Sequence, residues 1–242
     1  MSYPSCPGLE AVLFDLDGTL VDSAPDLASA LNRLLGQEGC QSVALGDVQM
    51  MIGDGVPKLV ERGFAACGRA LSEDEIDTFA RRFVADYEPN STVETRPFPG
   101  AIEALAELKA AGLALGVCTN KPEGATRGIL AAFGMDAFFA AVVGGDTVPG
   151  ARKPDPAPLR ETLRRLGAGA EAAIAVGDSA NDVAAARAAR LPIVAVTFGY
   201  ARVPAARLGA DRLVGHFSEL GRALAEVWAA RPPREGGDRG AT

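Results

Sequence analysis

Two carboxylates two residues apart, Asp15 and Asp17, close the apolar stretch of AVLFDLDGTLVDS (residues 11–23). A carboxylate can attack an electrophilic centre, and a second beside it can pass a proton to and from the reacting oxygen. Further along, Thr119 and Asn120 follow LALGVC, Lys153 stands in the loop GARKPDP, and Asp178 ends AAIAVG with Asp182 four residues on. A hydroxyl, an amide, an ammonium and further carboxylates suit a charged, oxygen-rich substrate. Each residue also has a plain structural use. Asp17-Gly18 is turn chemistry, Thr119 or Asn120 can cap a helix opening near Pro122, and Ser179 with Asp182 matches a capping box. Chance must then explain their joint placement at three strand ends and one loop. Lys153 gains weight because the chain has four lysines (Lys58, Lys109, Lys121 and Lys153) against twenty arginines. Lysine supplies a compact point charge that arginine does not.

The elements that must position these residues follow from hydrophobic periodicity. AVLF (11–14), LALGVC (113–118), AVVGG (141–145), AAIAVG (172–177) and PIVAV (192–196) are too apolar for one-sided burial. Helical Ala/Leu/Arg segments at 101–111, 123–133, 157–166 and 181–190 separate most of them. The alternation predicts an α/β fold with a Rossmann-like, doubly wound parallel sheet. Ligands of such sheets bind beyond the carboxyl ends of the strands, where these polar residues lie. A short strand near 211–215 and a helix from about Ser218 to Ala230 close the fold. Residues 22–95 break the rhythm. They hold helix signatures, including Ser23 with Pro25 and the capping box Ser72-Glu73-Asp74-Glu75, and no convincing strand. They predict an inserted helical cap domain on a core of 1–21 and 96–230, hinged near 20–23 and 94–99. The tail, 231–242, is expected to be disordered.

Composition narrows the partners. The 242 residues are 48% hydrophobic and 23% charged, which suits a soluble globular chain with a real core. A formal charge of −7 argues against nucleic-acid or membrane surfaces and leaves a small ligand. No run approaches 18 apolar residues, and MSYPSCPGLE lacks the features of a secretory leader. Cys6, Cys40, Cys67 and Cys118 lie far apart in sequence, so neither zinc nor a redox dithiol is expected, and free thiols suit the cytoplasm. A G-x-x-x-x-G-K-[ST] loop, a G-x-S-x-G elbow and a cysteine followed six residues on by arginine are all missing. The lone histidine, His216, is expected to be exposed or packing.

FDLDGTLVDS, TNKP, the lysine of RKPDP and VGDSANDVAAARAA resemble, in order, the four motifs of the haloacid-dehalogenase-like (HAD) phosphatase superfamily. RPFPG, TNKPEG, GGDTVPGARKPDPAPL and VTFGY are similar to runs of its bacterial phosphoglycolate phosphatases. IGDGVPKLV departs from them, with Asp54 where that subfamily more often has Asn. The resemblance implies a Mg²⁺-dependent phosphatase for a small phosphorylated metabolite, 2-phosphoglycolate first. A sugar-phosphate phosphatase and a β-phosphoglucomutase-like transferase are the alternatives, with a non-catalytic binding protein behind them. Asp15 is then the nucleophile, forming an aspartyl-phosphate, and Asp17 the general acid and base, a task that calls for a raised pKa. Thr119, Asn120 and Lys153 would hold the phosphoryl group. The implied metal ligands are Asp15, the backbone carbonyl of Asp17, and Asp178, with Asp182 orienting Lys153 or the metal's waters. GDGVPKLVERGF (53–64) reads as a glycine turn opening a helix, whose N–H groups with Lys58 or Arg62 would receive the substrate's carboxylate. Four aspartates against Lys153 leave −3. A phosphate dianion meets repulsion of about 4 kcal/mol per close pair at an effective dielectric near 20, so a divalent cation is expected. A monomer or homodimer is the expected assembly.

Overall fold

All four residues of the first strand, β1 (Ala11–Phe14), are buried, so the strand needs cover on both sides. The structure is a computed structural model that describes residues 6–231; the tail expected to be disordered lies, beyond Arg231, outside the described residues. The remaining strands are β2 (Val21–Asp22), β3 (Arg96–Pro97), β4 (Ala114–Cys118), β5 (Phe139–Val143), β6 (Ala173–Gly177), β7 (Ile193–Val196) and β8 (Arg212–Val214). Four helices, α1 (Ala24–Gln37), α2 (Leu45–Gln49), α3 (Val56–Ala66) and α4 (Glu73–Tyr87), fall between β2 and β3. The others are α5 (Ala101–Ala110), α6 (Glu123–Ala132), α7 (Ala157–Leu166), α8 (Ala180–Ala188) and α9 (Leu220–Ala229).

Six strands form one sheet in the order β5-β4-β1-β6-β7-β8, every pair parallel. Side chains alternate across it. Val12 and Phe14 join Leu115, Val117, Ile174 and Val176 beneath Leu105 and Leu108 of α5 and Leu220 and Leu224 of α9. Ala11, Leu13, Ala173 and Ala175 face Leu159 and Leu163 of α7 and Val183 and Ala186 of α8. Small residues on this second face let the helices approach closely. A Cβ at Gly116 would lie 2.6 Å from Thr162 Cγ2 of α7. The register sets Phe14 level with Val117 and Val176. Asp15 therefore stands one residue past this row, and Thr119 and Asp178 two, all at the carboxyl edge of the three central strands.

The inserted helices carry a cluster of their own, built on Leu27, Leu31, Leu35, Val60, Phe64, Phe79 and Phe83. Phe64 stacks on Phe79 at 4.7 Å and Phe83 on Tyr87 at 5.6 Å. Among the buried described residues from the rest of the chain, only Ala125 and Tyr200 join it. The capping box at Ser72 and Glu75 forms as expected. The insertion is bounded by an antiparallel ribbon, Val21 opposite Pro97 and Asp22 opposite Arg96, where the sequence pattern shows no strand. Buried Asp26 of α1 pins the return segment, accepting from the N–H groups of Glu94 and Thr95 and from the Thr95 hydroxyl.

Three local expectations change. β5 ends at Val143, not Gly145, because Gly144 and Gly145 press against backbone. Cβ atoms there would lie 2.3 Å from Glu123 N and 2.2 Å from Asn120 O. Ser23 precedes α1 but does not cap it with its side chain. Cys40 and Cys67, distant in sequence, meet beside the ends of α1 and α3, where burial and the Cys40 thiol both raise the Cys67 pKa; the four cysteines are free thiols.

Candidate active site

At the end of β1 the chain turns sharply, because Gly18 takes φ +84° and its N–H donates to Val21 O at 2.9 Å. The turn presents Asp15 and Asp17 on one rim. Lys153 reaches Asp15 from the loop before α7: its ammonium lies 2.8 Å from Asp15 Oδ1 and 2.6 Å from Asp182 Oδ1, and donates to Cys118 O at 2.8 Å. Asp182 is held in turn. Its Oδ2 accepts from the N–H groups of Asp178 and Ser179 and from the Ser179 hydroxyl, at 3.2, 3.0 and 2.6 Å. The capping box and the site thus use the same carboxylate. Asp178 accepts from Thr19 Oγ1 at 3.1 Å and from Tyr200 N at 2.6 Å.

Thr119 is buried, and its Oγ1 accepts from Lys121 N at 3.2 Å. That hydroxyl donates to no protein group among the described residues, so its proton is available to a ligand. The Asn120 side chain is engaged by protein. Its Oδ1 accepts from Lys153 N at 2.8 Å, and its Nδ2 donates to Lys153 O at 2.8 Å and Gly53 O at 2.9 Å. It fixes the lysine loop and the insertion's Gly53 rather than presenting a free amide to substrate. His216 is exposed and accepts from Ser218 N at 3.1 Å.

Lys58 is not brought to the site. Its side chain is 57% exposed and pairs with Glu61 at 2.5 Å, one turn along the same helix face. Arg62 is also engaged elsewhere, donating to Met51 O at 2.8 Å and pairing with Asp54 at 2.5 Å. Asp54 accepts from Asn181 and Arg202 as well, so the unusual acid is a tie between insertion and sheet. The insertion's share of the cleft wall is Leu27, Ile52, Gly53, Gly55, Val56 and Leu59, facing Asp15, Asp17, Thr119, Lys121 and Lys153.

Three contacts escape the sequence reasoning. Lys121 is 5% exposed, and its ammonium donates to Asp17 Oδ1 at 2.9 Å and Oδ2 at 3.1 Å. Ser23 Oγ donates to Asp17 Oδ1 at 2.5 Å. Tyr200 donates from its hydroxyl to Asp22 at 2.5 Å while its backbone N–H serves Asp178. The lysine of TNKP and the tyrosine of VTFGY were visible as motif letters, but no local pattern told their partners.

Burial sets the electrostatics. It raises Asp15 to about 6, with Lys153 pulling down and Asp182 and Asp17 pushing up. It raises Asp178 well above the usual carboxylate range, helped by Asp182 and Asp15. Burial alone would lower Lys153 and Lys121, but the carboxylates opposite hold both above the usual lysine value. Counting Lys121, four carboxylates face two ammoniums, and the net charge is −2 rather than the −3 reckoned from sequence. Oxygens of Asp15, Asp178 and Asp182 lie within 4.8 Å of one another. Asp15 Oδ1 is buried, and its close partner among the described residues is the Lys153 ammonium, 2.8 Å away. Asp178 has one bond on each oxygen and lone pairs to spare, whereas Asp182 accepts four. Asp15 and Asp178 therefore fit a hard divalent cation, and Asp182 fits the supporting place behind them.

Acids and buried lysines at the carboxyl edge of a parallel sheet, beneath a helical insertion, define an enzyme-like site in a doubly wound α/β fold. The chain belongs to the haloacid dehalogenase-like hydrolase family, a model of which matches residues 12–196. It is 45% identical over 238 residues to the phosphoglycolate phosphatase of Rhodospirillum rubrum, covering 96% of each chain. It is 41% identical over 221 residues to that of Caulobacter vibrioides, covering 91% of this chain and 93% of the relative. The crystal structure of a predicted phosphoglycolate phosphatase from Haemophilus somnus superposes with a TM-score of 0.85 at 34% identity, covering 91% and 100% of the two chains. CbbY from Rhodobacter sphaeroides, crystallised with phosphate, superposes at 0.75 with 29% identity, covering 88% and 96%. These likenesses bear out the expected family, sheet and enzyme class.

Proposed function

We propose that this hydrolase cleaves small phosphate monoesters, with 2-phosphoglycolate preferred, through an aspartyl-phosphate on Asp15. The carrying observation is the buried Oδ1 of Asp15, paired with the Lys153 ammonium at 2.8 Å at the mouth of the central strand. Asp15 attacks phosphorus as the ester P–O bond breaks, and Asp17 gives its proton to the leaving oxygen. Asp17 then takes a proton from the water that cleaves the acyl phosphate, releasing inorganic phosphate and restoring Asp15. Thr119 donates to the transferring oxygens, and Lys153 opposes their charge. Asp15, the Asp17 carbonyl and Asp178 would hold Mg²⁺, which when bound offsets the negative charge of site and ester.

Residues 22–95 serve as the cap. Gly55 opens α3 without a side-chain cap, and Gly55 and Val56 line the cleft. The first N–H groups of α3 would receive the glycolate carboxylate, without Lys58. The names of the relatives support the substrate. Among the described residues no helix is long and apolar enough to cross a membrane, in keeping with a metabolite-processing enzyme of the cytoplasm.

Phosphate release over a panel of small acid, sugar and nucleoside monoesters tests the reading. The expected result is a kcat/KM for 2-phosphoglycolate at least about tenfold above any sugar phosphate, a modest margin for a site that pairs a substrate carboxylate. Preference for a sugar phosphate, or formation of an isomerised sugar phosphate, would overturn the substrate assignment. Asp15→Asn is expected to abolish turnover with an unchanged circular dichroism spectrum; a variant as active as the parent removes the nucleophile.

A further inference from the structure

Lys121 and Asp17 lie 104 residues apart in the chain and form an ion pair whose side chains are 3% and 12% exposed. A cation this deep is stable only with its charge answered, and Asp17 is its one carboxylate partner among the described residues. Two directions of the ammonium are fixed by the two oxygens of Asp17. On another side lies the ring of Tyr87, its centroid 4.5 Å from Nζ. Tyr87 belongs to α4, in the inserted helices, whereas Lys121 follows β4 of the sheet.

We propose that Lys121 is the positioning residue of the proton-transfer step: it fixes the plane of the Asp17 carboxyl toward the leaving oxygen, and does so while Tyr87 covers it. The proposal rests on Asp17 being the proton donor. One donor on each oxygen removes rotation about the carboxyl bond. Ser23 adds a second donor on Oδ1, so Oδ2 keeps the less occupied lone pairs and is the oxygen with room for a further partner. Without Lys121 a single hydroxyl on one oxygen remains, and the carboxyl is free to turn. Movement of α4 would expose Lys121 to water, so the insertion's position is felt at Asp17.

The test compares two esters. Departure of glycolate needs a proton, whereas 4-nitrophenolate leaves without one. Lys121→Met is expected to lose about 100-fold in kcat/KM on 2-phosphoglycolate and less than about fivefold on 4-nitrophenyl phosphate. Tyr87→Leu is expected to show the same selectivity, smaller in size. Lys121→Arg keeps the charge but not the donor geometry; a selective loss of about tenfold is expected, and it carries the test if the methionine variant does not fold. Equal losses on both esters, or none, while Asp17→Asn remains selective, would overturn the positioning role. If Asp17→Asn itself loses both activities equally, the proton-donor reading fails and takes the proposal with it. The two failures are therefore distinguishable.

Discussion

Gly18→Ala would disturb the site without altering a charged group. A Cβ at Gly18 would lie 2.5 Å from Asp178 Oδ2, 2.9 Å from its Cγ and 2.9 Å from Tyr200 Cδ2. With φ at +84°, any residue with a Cβ also meets left-handed strain of about 1–2 kcal/mol. Alanine's lower unfolded-state entropy returns about 0.4–1 kcal/mol of that. Ordinary contact begins at 3.4 Å, so the carboxylate must retreat by roughly 0.9 Å. It cannot do so freely, because Thr19 and Tyr200 hold its two oxygens. Overpacking of this kind costs about 1–3 kcal/mol. The net destabilisation is about 2–4 kcal/mol, which lowers Tm by roughly 5–15 °C for a chain of this size.

Displacing a site carboxylate by nearly 1 Å also costs about 100-fold in rate. The assay pairs a circular dichroism melt with kcat/KM on 2-phosphoglycolate. Gly128→Ala is the control, since Gly128 lies inside α6 with nothing within 4 Å of its would-be Cβ. There the helix gains about 0.5–1 kcal/mol, and activity should not change. A Gly18→Ala protein that melts within about 2 °C of the parent and keeps its activity within about threefold would refute the close-approach argument.

Chelator-treated protein is expected to release no phosphate above background and to recover with Mg²⁺; full activity after chelation would remove the metal from the scheme. Arg202→Gln should raise KM about fivefold with kcat little changed. Arg202 donates to Met50 O, Ile52 O and Asp54 at 2.7 Å each, and its partial exposure discounts those bonds to about 1 kcal/mol in all. High KCl should raise the parent's KM by more than the variant's; an equal salt response in both would exclude an ionic tie through Arg202. Asp54 sits below the usual range: burial raises it, but the bonds from Asn181, Arg202 and Arg62 prevail. A depressed carboxyl contributes above its unfolded value near 3.8 and loses that contribution as pH falls through the folded value. The share of the KM difference that comes from Asp54 should therefore hold at neutral pH and be lost only below about pH 4, while the share from the Met50 and Ile52 carbonyls persists.

The central strands were legible because both faces are covered, which leaves unbroken apolar runs such as AIAV in β6. β5 slid by two residues because AVVGG reads as one apolar run, while its glycines serve close backbone approach. Site residues at the strand ends were legible for the same topological reason. Lys58 misled because closeness in sequence to a glycine turn says nothing of rotation about the helix, and its face of α3 points to Glu61. Ser23 looked like a cap because serine before Pro25 usually is one, yet its hydroxyl answers a carboxylate six residues back.

The scarcity of lysine held more information than the sequence reasoning took from it. Lys153 and Lys121 are both 5% exposed and both face the carboxylates proposed to do the chemistry; Lys58 and Lys109 lie at the surface. Composition flags four residues but cannot separate the pair that folding buries, since each meets its partner across more than 100 residues: Lys121 with Asp17, Lys153 with Asp15. The second ammonium changes the electrostatic problem. With Lys153 alone, a divalent cation leaves the site at −1, and Asp17 must also be protonated before a dianionic ester meets no net repulsion. With Lys121 counted, the proposed cation and the two ammoniums balance four ionised carboxylates, and the protonated Asp17 that the donor role requires would take the site to +1, so a dianionic ester would meet net attraction. The close pair repulsions of about 4 kcal/mol inferred from sequence would thus be relieved by two buried lysines and the proposed cation together.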